Sequence, residues 1–175
     1  TGITGSVTHD FGVAGTYTIR ITGTFPRILF NNGGDKAKIL SVNQWGDSSW
    51  TSMASAFNGC SNLQVTASDA PDLSAVTDMS SMFSNCTVFN SNINHWDVST
   101  IQNMSALFVN AAAFNQPLDN WNVSQVQNMS LMFTNAASFN QPINSWQVGN
   151  VTNMSIMFFC PSSTSSFNQP LSDWD

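Results

Sequence analysis

A single interval organises this chain. Met79, Met104, Met129 and Met154 stand 25 residues apart, as do Phe83, Phe108, Phe133 and Phe158. Phe89, Phe114 and Phe139 keep the same step, and so do Trp96, Trp121 and Trp146. The shared unit reads W-x-V-S-x-V-x-N-M-S-x-M-F-x-N-A-x-x-F-N-Q-P-L-x-x-W. A fixed step of this length is the signature of stacked units, each burying its apolar side against its neighbours. In the last copy a Ser/Pro-rich insertion at residues 160–166 stretches the Trp146-to-Trp174 spacing to 28. A divergent first copy begins near Trp50, with Met53, Phe57, Cys60 and Leu63 in the slots of Met79, Phe83, Cys86 and Phe89.

Within one unit, Met129, Met132, Phe133 and Ala136 follow the i, i+3, i+4, i+7 spacing of an apolar helix face. Asn128 precedes them as an N-cap, and Asp78, Asn103 and Asn153 hold the same slot. This predicts a helix of about two turns per unit, too short to stand alone. Beyond Pro142, Trp146 and Val148 alternate with Ser145 and Gln147, which predicts a short strand with one buried face. The spacing is similar to that of a leucine-rich repeat, with Trp and Val in the leucine slots. The predicted fold is therefore an α/β solenoid, a leucine-rich-repeat-like stack of short parallel strands and short helices. Its coils would align a Phe column (Phe89, Phe114, Phe139, Phe167) and a Trp column (Trp96, Trp121, Trp146, Trp174). Asn90, Asn115, Asn140 and Asn168 would form a buried, hydrogen-bonded ladder, since an unpaired buried amide costs a few kcal/mol.

The first residues follow another rule. Tyr17, Ile19 and Ile21 alternate with Thr18, Arg20 and Thr22. With Val7 to Phe11 and the Gly12–Gly15 turn they predict a β-hairpin that caps the open end of the stack. The organisation expected is a hairpin cap over 1–26, a connecting or capping segment over 27–49 and a solenoid of about five 25-residue units over 50–175. Because the chain opens on Thr1, it reads as a piece of a longer protein.

Charge narrows the range of functions. There is no Glu, and the four cations, Arg20, Arg27, Lys36 and Lys38, precede Ile39. Phosphate binding needs clustered cations, so nucleic acid is not an expected partner. No stretch approaches 18 apolar residues, so insertion into a membrane is not expected. Only two His occur, and the Asp residues are unpaired in sequence, so no acid–base constellation emerges and the chain reads as a non-enzyme. No calcium-loop pattern is present, and the Asp residues read as turn and cap residues. No cofactor is expected, because the Met and Phe stripes read as core. Cys60 and Cys86 share one small-residue slot, which stacks them near disulfide range, and of the two readings, disulfide or reduced core thiols, the reduced one is preferred.

The stretch Asn128 to Met154, NMSLMFTNAASFNQPINSWQVGNVTNM, resembles the repeat of bacterial surface proteins and mycoplasma surface lipoproteins. Met53 to Leu63, MASAFNGCSNL, resembles BspA-like leucine-rich repeats, and His9 to Gly23 is similar to the last strands of a polycystic-kidney-disease (PKD) type β-sandwich. These resemblances imply a secreted or cell-surface location and a role in recognition or adhesion, and they carry no catalytic residues.

The expected binding face is the outward side of the strands: His95, Asp97 and Ser99; Asn120, Asn122 and Ser124; Ser145 and Gln147. Its expected partner is a protein or a glycan. The rival expectation is a spacer or self-assembly domain that associates through the ends of the solenoid.

Overall fold

A computed structural model describes residues 9–161 and 165–174. Within them the chain is a stack of coils containing no helix. Its regular strands are β1 (Ser41–Val42) and β2 (Gln64–Val65), which pair in parallel. Single parallel bridges extend the stacking through Ser49 and Asp72, and through Asp78, Asn103, Asn128 and Asn153.

The predicted helices are replaced by linked turns. Met82 N–H donates to Met79 O, Ser84 to Ser81, Cys86 to Phe83 and Phe89 to Cys86. The intervening N–H groups leave the coil: Met79, Ser81, Phe83 and Asn85 donate to Asn103, Ser105, Leu107 and Val109. The next two coils repeat the pattern. Half the N–H groups are thus committed to the neighbouring coil, and an α-helix would need them for its own carbonyls. Left-handed residues enforce the break. Ser81 and Asn85 sit at φ 55° and 60°, Ala106 and Asn110 at 56° and 58°, Leu131 and Asn135 at 61° and 57°. The presumed N-caps are Asx turns: Asn103 Oδ1 accepts from Ser105 N–H at 3.1 Å, and Asn128 Oδ1 from Ser130 N–H at 3.0 Å.

The helix-spaced residues are nevertheless core: Met129, Met132, Phe133 and Ala136 are all buried. The Trp-x-Val segments likewise show the expected burial, with Trp146 and Val148 inside and Ser145 and Gln147 outside, yet they form no strand. Trp96 N–H and Ile101 N–H close local turns onto Ile93 O and Val98 O, so the ladder bonds of a sheet are not made there. The leucine-rich-repeat-like α/β fold is thus corrected to a non-helical stack.

The aromatic columns run the length of the stack. Phe114 and Phe139 lie 6.0 Å apart with planes 5° from parallel, and Phe139 and Phe167 are also 6.0 Å apart. A second column runs through Phe30, Phe57, Phe83, Phe108, Phe133 and Phe158. The two columns touch in each coil, as at Phe108 and Phe114, 4.1 Å apart and offset-stacked. Trp121 and Trp146 donate their indole N–H groups to Ile93 O and Leu118 O at 3.1 and 3.0 Å, and Trp174 donates to Ile143 O at 3.0 Å.

The N-terminal cap also differs from expectation. Among the described residues, 9–24 contain no strand and are exposed throughout, so no hairpin covers the core there. The first part of the expected hairpin, before His9, lies outside the described residues. The end of the core is covered instead by a coil built from residues 25–49. Phe30 N–H and Asn32 N–H donate to Ala56 O and Asn58 O, Phe30 stacks on Phe57, and Trp45 is buried.

Candidate recognition surface

Two side-chain ladders hold the coils in register. The expected one is present: Asn90, Asn115 and Asn140 each accept at Oδ1 from the backbone N–H of Asn115, Asn140 and Asn168, all at 2.9 Å. Gln116 and Gln169 add their amides to the Asn90 and Asn140 oxygens. This ladder is not buried, however. Asn90 and Asn168 are exposed and the other two half-buried. A second ladder, unforeseen from sequence, joins side chain to side chain. Asn85 Nδ2 donates to Asn58 Oδ1 at 3.1 Å, Asn110 to Asn85 at 2.8 Å and Asn135 to Asn110 at 2.9 Å. Its signal was the Asn of F-x-N-A, recurring at the same step.

The expected face divides into structural and available groups. Asp97 Oδ1 accepts from Ser99 N–H at 3.0 Å, and Asn122 Oδ1 from Ser124 N–H at 3.1 Å. These four residues shape the turn after each Trp. Hydrogen bonds from Ser99 hold the Asp97 carboxyl below the usual aspartate range. Asn120 is exposed and gives its backbone N–H to Asn94 Oδ1. Gln147 Nε2 turns back onto Ser145 O at 3.3 Å. His95 lies over the preceding coil, its Nε2 3.5 Å from Asp69 O.

Asp69 is a joint between coils. Its carboxylate accepts Gly46 N–H at 2.8 Å and Trp45 N–H at 3.1 Å. Burial disfavours its ionised form, but these donors and His95 outweigh that effect and hold its pKa low. Asp72 is held low by the Ser74 hydroxyl, then by Ser74 N–H and Ser49 Oγ, which donates at 2.9 Å. Among the described residues no group of three or more His, Cys, Asp or Glu is arranged to hold a metal ion. Cys60 and Cys86 are reduced and buried, and burial raises the Cys60 thiol to about 12. Burial pushes Cys86 up as well, and its thiol donates to Phe57 O at 3.1 Å. Neither thiol ionises near neutral pH, so neither is a nucleophile.

Overlapping the expected face at Ser99, a shallow open trough of mixed polar and apolar lining crosses three coils. Ser74, Ala75, Thr77, Ser99, Thr100, Gln102 and Gln125 line it. Ser99 stands one repeat after Ser74, Gln102 one after Thr77 and Gln125 one after Thr100. Thr100 Oγ1 is engaged with Leu73 O and Val76 O at 3.0 and 2.9 Å, whereas the Gln102 and Gln125 side chains are exposed.

Stacked coils, inter-coil turns and side-chain ladders together define a non-helical repeat protein. The chain belongs to the family described as Mycoplasma protein of unknown function, DUF285, whose model matches residues 51–174. The matched region is the part in which the 25-residue period is legible, and it excludes the stretch that resembled a PKD-type sandwich. No curated protein matches the chain, and no solved structure does.

Proposed function

We propose that this chain is an extracellular recognition or adhesion module of a bacterial-type surface protein, secreted or held at the cell surface. It takes a protein or a glycan on its neutral polar flank. The reading is supported chiefly by the trough, where hydrogen-bonding side chains hold equivalent positions on successive coils, Ser99 after Ser74, Gln102 after Thr77 and Gln125 after Thr100. A ladder-braced stack holds them at fixed spacing, so a partner with a repeating polar outline meets a preorganised surface. The solenoid carries eight Asp and no Lys or Arg after Lys38, which disfavours an anionic partner. The likeness to bacterial surface proteins points the same way. Glycan and protein arrays probed with the whole chain test the proposal. A hit weakened at least about tenfold by Gln102→Ala with Gln125→Ala, roughly 1.4 kcal/mol, supports it. Uniformly negative arrays, or hits indifferent to both residues, oppose it.

A second reading is a spacer that associates through the ends of its stack. Ile156 and Phe159, 56% and 55% exposed on the last coil, favour it. Dimers lost on changing Phe159→Ser, with negative arrays, would replace the first reading by this one.

A further inference from the structure

The segment Gly15–Gly23 alternates in sequence as a strand would, yet it forms no strand and joins no sheet among the described residues. Tyr17, Ile19 and Ile21 are 45%, 71% and 54% exposed, an apolar row on an otherwise polar stretch. From Thr16 to Thr22 the backbone makes no hydrogen bond to any other described residue. Such a row, with its N–H and C=O groups open, is a template for pairing with another strand.

Its own sequence indicates which strand fits. Read outward from Ile19, the residues form matched pairs: Thr18 with Arg20, Tyr17 with Ile21, Thr16 with Thr22, and Gly15 with Gly23. We infer that this segment pairs antiparallel with the same segment of a second copy, on a two-fold axis through Ile19. Under that symmetry the two Ile19 residues face each other, and each Tyr17 faces the partner copy's Ile21. Arg20 falls opposite Thr18, so the one charge in the segment never meets its like. A shift of one residue would put apolar side chains opposite polar ones and discard this match. The apolar face of the ribbon has a cover already in place. Phe11 stacks on Tyr17 at 4.3 Å, and Tyr17 Oη donates to Val13 O at 2.6 Å, which folds the preceding turn onto the row. Arg20 and the flanking glycines limit the pairing to nine residues, which argues for a discrete dimer rather than a fibre. The contact is small beside the roughly 1,000 Å² of a stable interface, so the dimer is weak and dissociates on dilution.

Sedimentation velocity of the whole chain over a concentration series tests this. The weight-average mass should rise toward twice the monomer value as concentration increases. Ile19→Asp, which sets two carboxylates face to face on the axis, should hold it at the monomer value. Phe159→Ser, at the far end of the stack, should leave the association unchanged. Ile19→Cys should give a disulfide-linked dimer in mild oxidant, and Thr18→Cys, whose partner is Arg20, should not. Near-ultraviolet circular dichroism should be the same for all variants, since these positions lie outside the core. A wild-type chain that stays monomeric throughout overturns the inference. So does a dimer indifferent to Ile19→Asp, or one abolished by Phe159→Ser.

Discussion

Asn135 donates its side-chain amide to Asn110 Oδ1 at 2.9 Å, while Asn110 donates onward to Asn85 at 2.8 Å. Each Asn also sits in the left-handed region, Asn110 at φ 58°. Asn is the side chain that satisfies both demands, since it tolerates that conformation and carries a donor and an acceptor. The coil that begins at Trp50 divides the roles between two residues. Gly59 takes the left-handed position at φ 82°, and Asn58 supplies the ladder oxygen.

The two roles can be measured apart. Asn110→Gly keeps the backbone geometry and loses two ladder bonds, which should cost about 1–3 kcal/mol. Asn110→Ala loses the same bonds and adds left-handed strain of about 1–2 kcal/mol. Urea unfolding should therefore rank wild type above Asn110→Gly and Asn110→Gly above Asn110→Ala. Equal midpoints for the two variants would remove the conformational part of this account. Gly59 has less latitude, because its φ of 82° disfavours a side chain and a Cβ there would lie 3.1 Å from the Asn32 Cα as well as against the Asn32 and Lys36 side chains.

The repeat predicts which residues meet across coils far better than it predicts how the backbone runs within one. Phe114 and Phe139 had to stack, because identical residues at a fixed step face each other in any solenoid. The i, i+3, i+4, i+7 spacing of Met129, Met132, Phe133 and Ala136 marked the buried side correctly. It could not separate a helix from a run of linked turns, since both return a side chain to the core every three to four residues. The Asn58–Asn135 ladder is hidden for the same reason, since the spacing places Asn135 within the expected helix, where its side chain would not reach Asn110. Residues 25–49 escape the period because that coil has no Met, its Trp45 stands 15 residues after Phe30 where Trp96 stands 13 after Phe83, and Phe30 precedes Phe57 by 27 residues instead of 25. On the expected face, exposure was legible at Asp97 and Asn122. Their service to their own turns was not, because Asx turns and ligand-binding carboxamides look alike in sequence.

The first left-handed slot of each coil holds residues poorly suited to it. Ala106, Leu131 and Ile156 adopt φ 56°, 61° and 60°. Such residues carry a steric cost there that Gly does not, at about 1–2 kcal/mol each. Ala106→Gly should raise the urea midpoint, with a net gain of about 0.5–1 kcal/mol once the greater freedom of the unfolded Gly chain is counted. A lowered midpoint would mean that the neighbouring ladder relieves the strain.

The tryptophans divide by their indole partners. Trp121 donates to Ile93 O at 3.1 Å, whereas the buried Nε1 atoms of Trp45, Trp50 and Trp96 have no acceptor. Trp121→Phe removes one of the two hydrogen bonds to Ile93 O, which keeps Trp96 N–H, with an expected loss of about 0.5–1.5 kcal/mol beyond the change in packing. Trp96→Phe removes a donor that was already unsatisfied, so its loss should be smaller by about that amount. Chemical denaturation of the two variants side by side checks the difference, and equal losses would mean that the indole bonds contribute nothing net.

Acid should loosen the N-terminal end of the stack first. Asp69, Asp72 and Asp97 all have folded-state pKa values below the ordinary 3.8. The unfolded chain therefore takes up their protons at a higher pH than the folded chain does. Their stabilising contribution is complete above about pH 4 and is lost as pH falls through the folded values. Asp69 ties Trp45 and Gly46 of the first coil to the second, and Ser49 is tied through Asp72. Protonation weakens those acceptors and leaves the joint to backbone bonds such as Phe30 N–H to Ala56 O and Gln64 N–H to Leu40 O. The thermal midpoint should be flat from about pH 7 to 5 and fall below about pH 4. In that window tryptophan fluorescence, to which buried Trp45 contributes, should change before circular dichroism reports loss of the central coils. Asp69→Asn should lower the midpoint at neutral pH and flatten its acid dependence. If Asp69→Asn instead keeps the full acid slope, the carboxylate at this joint is not the group that senses pH.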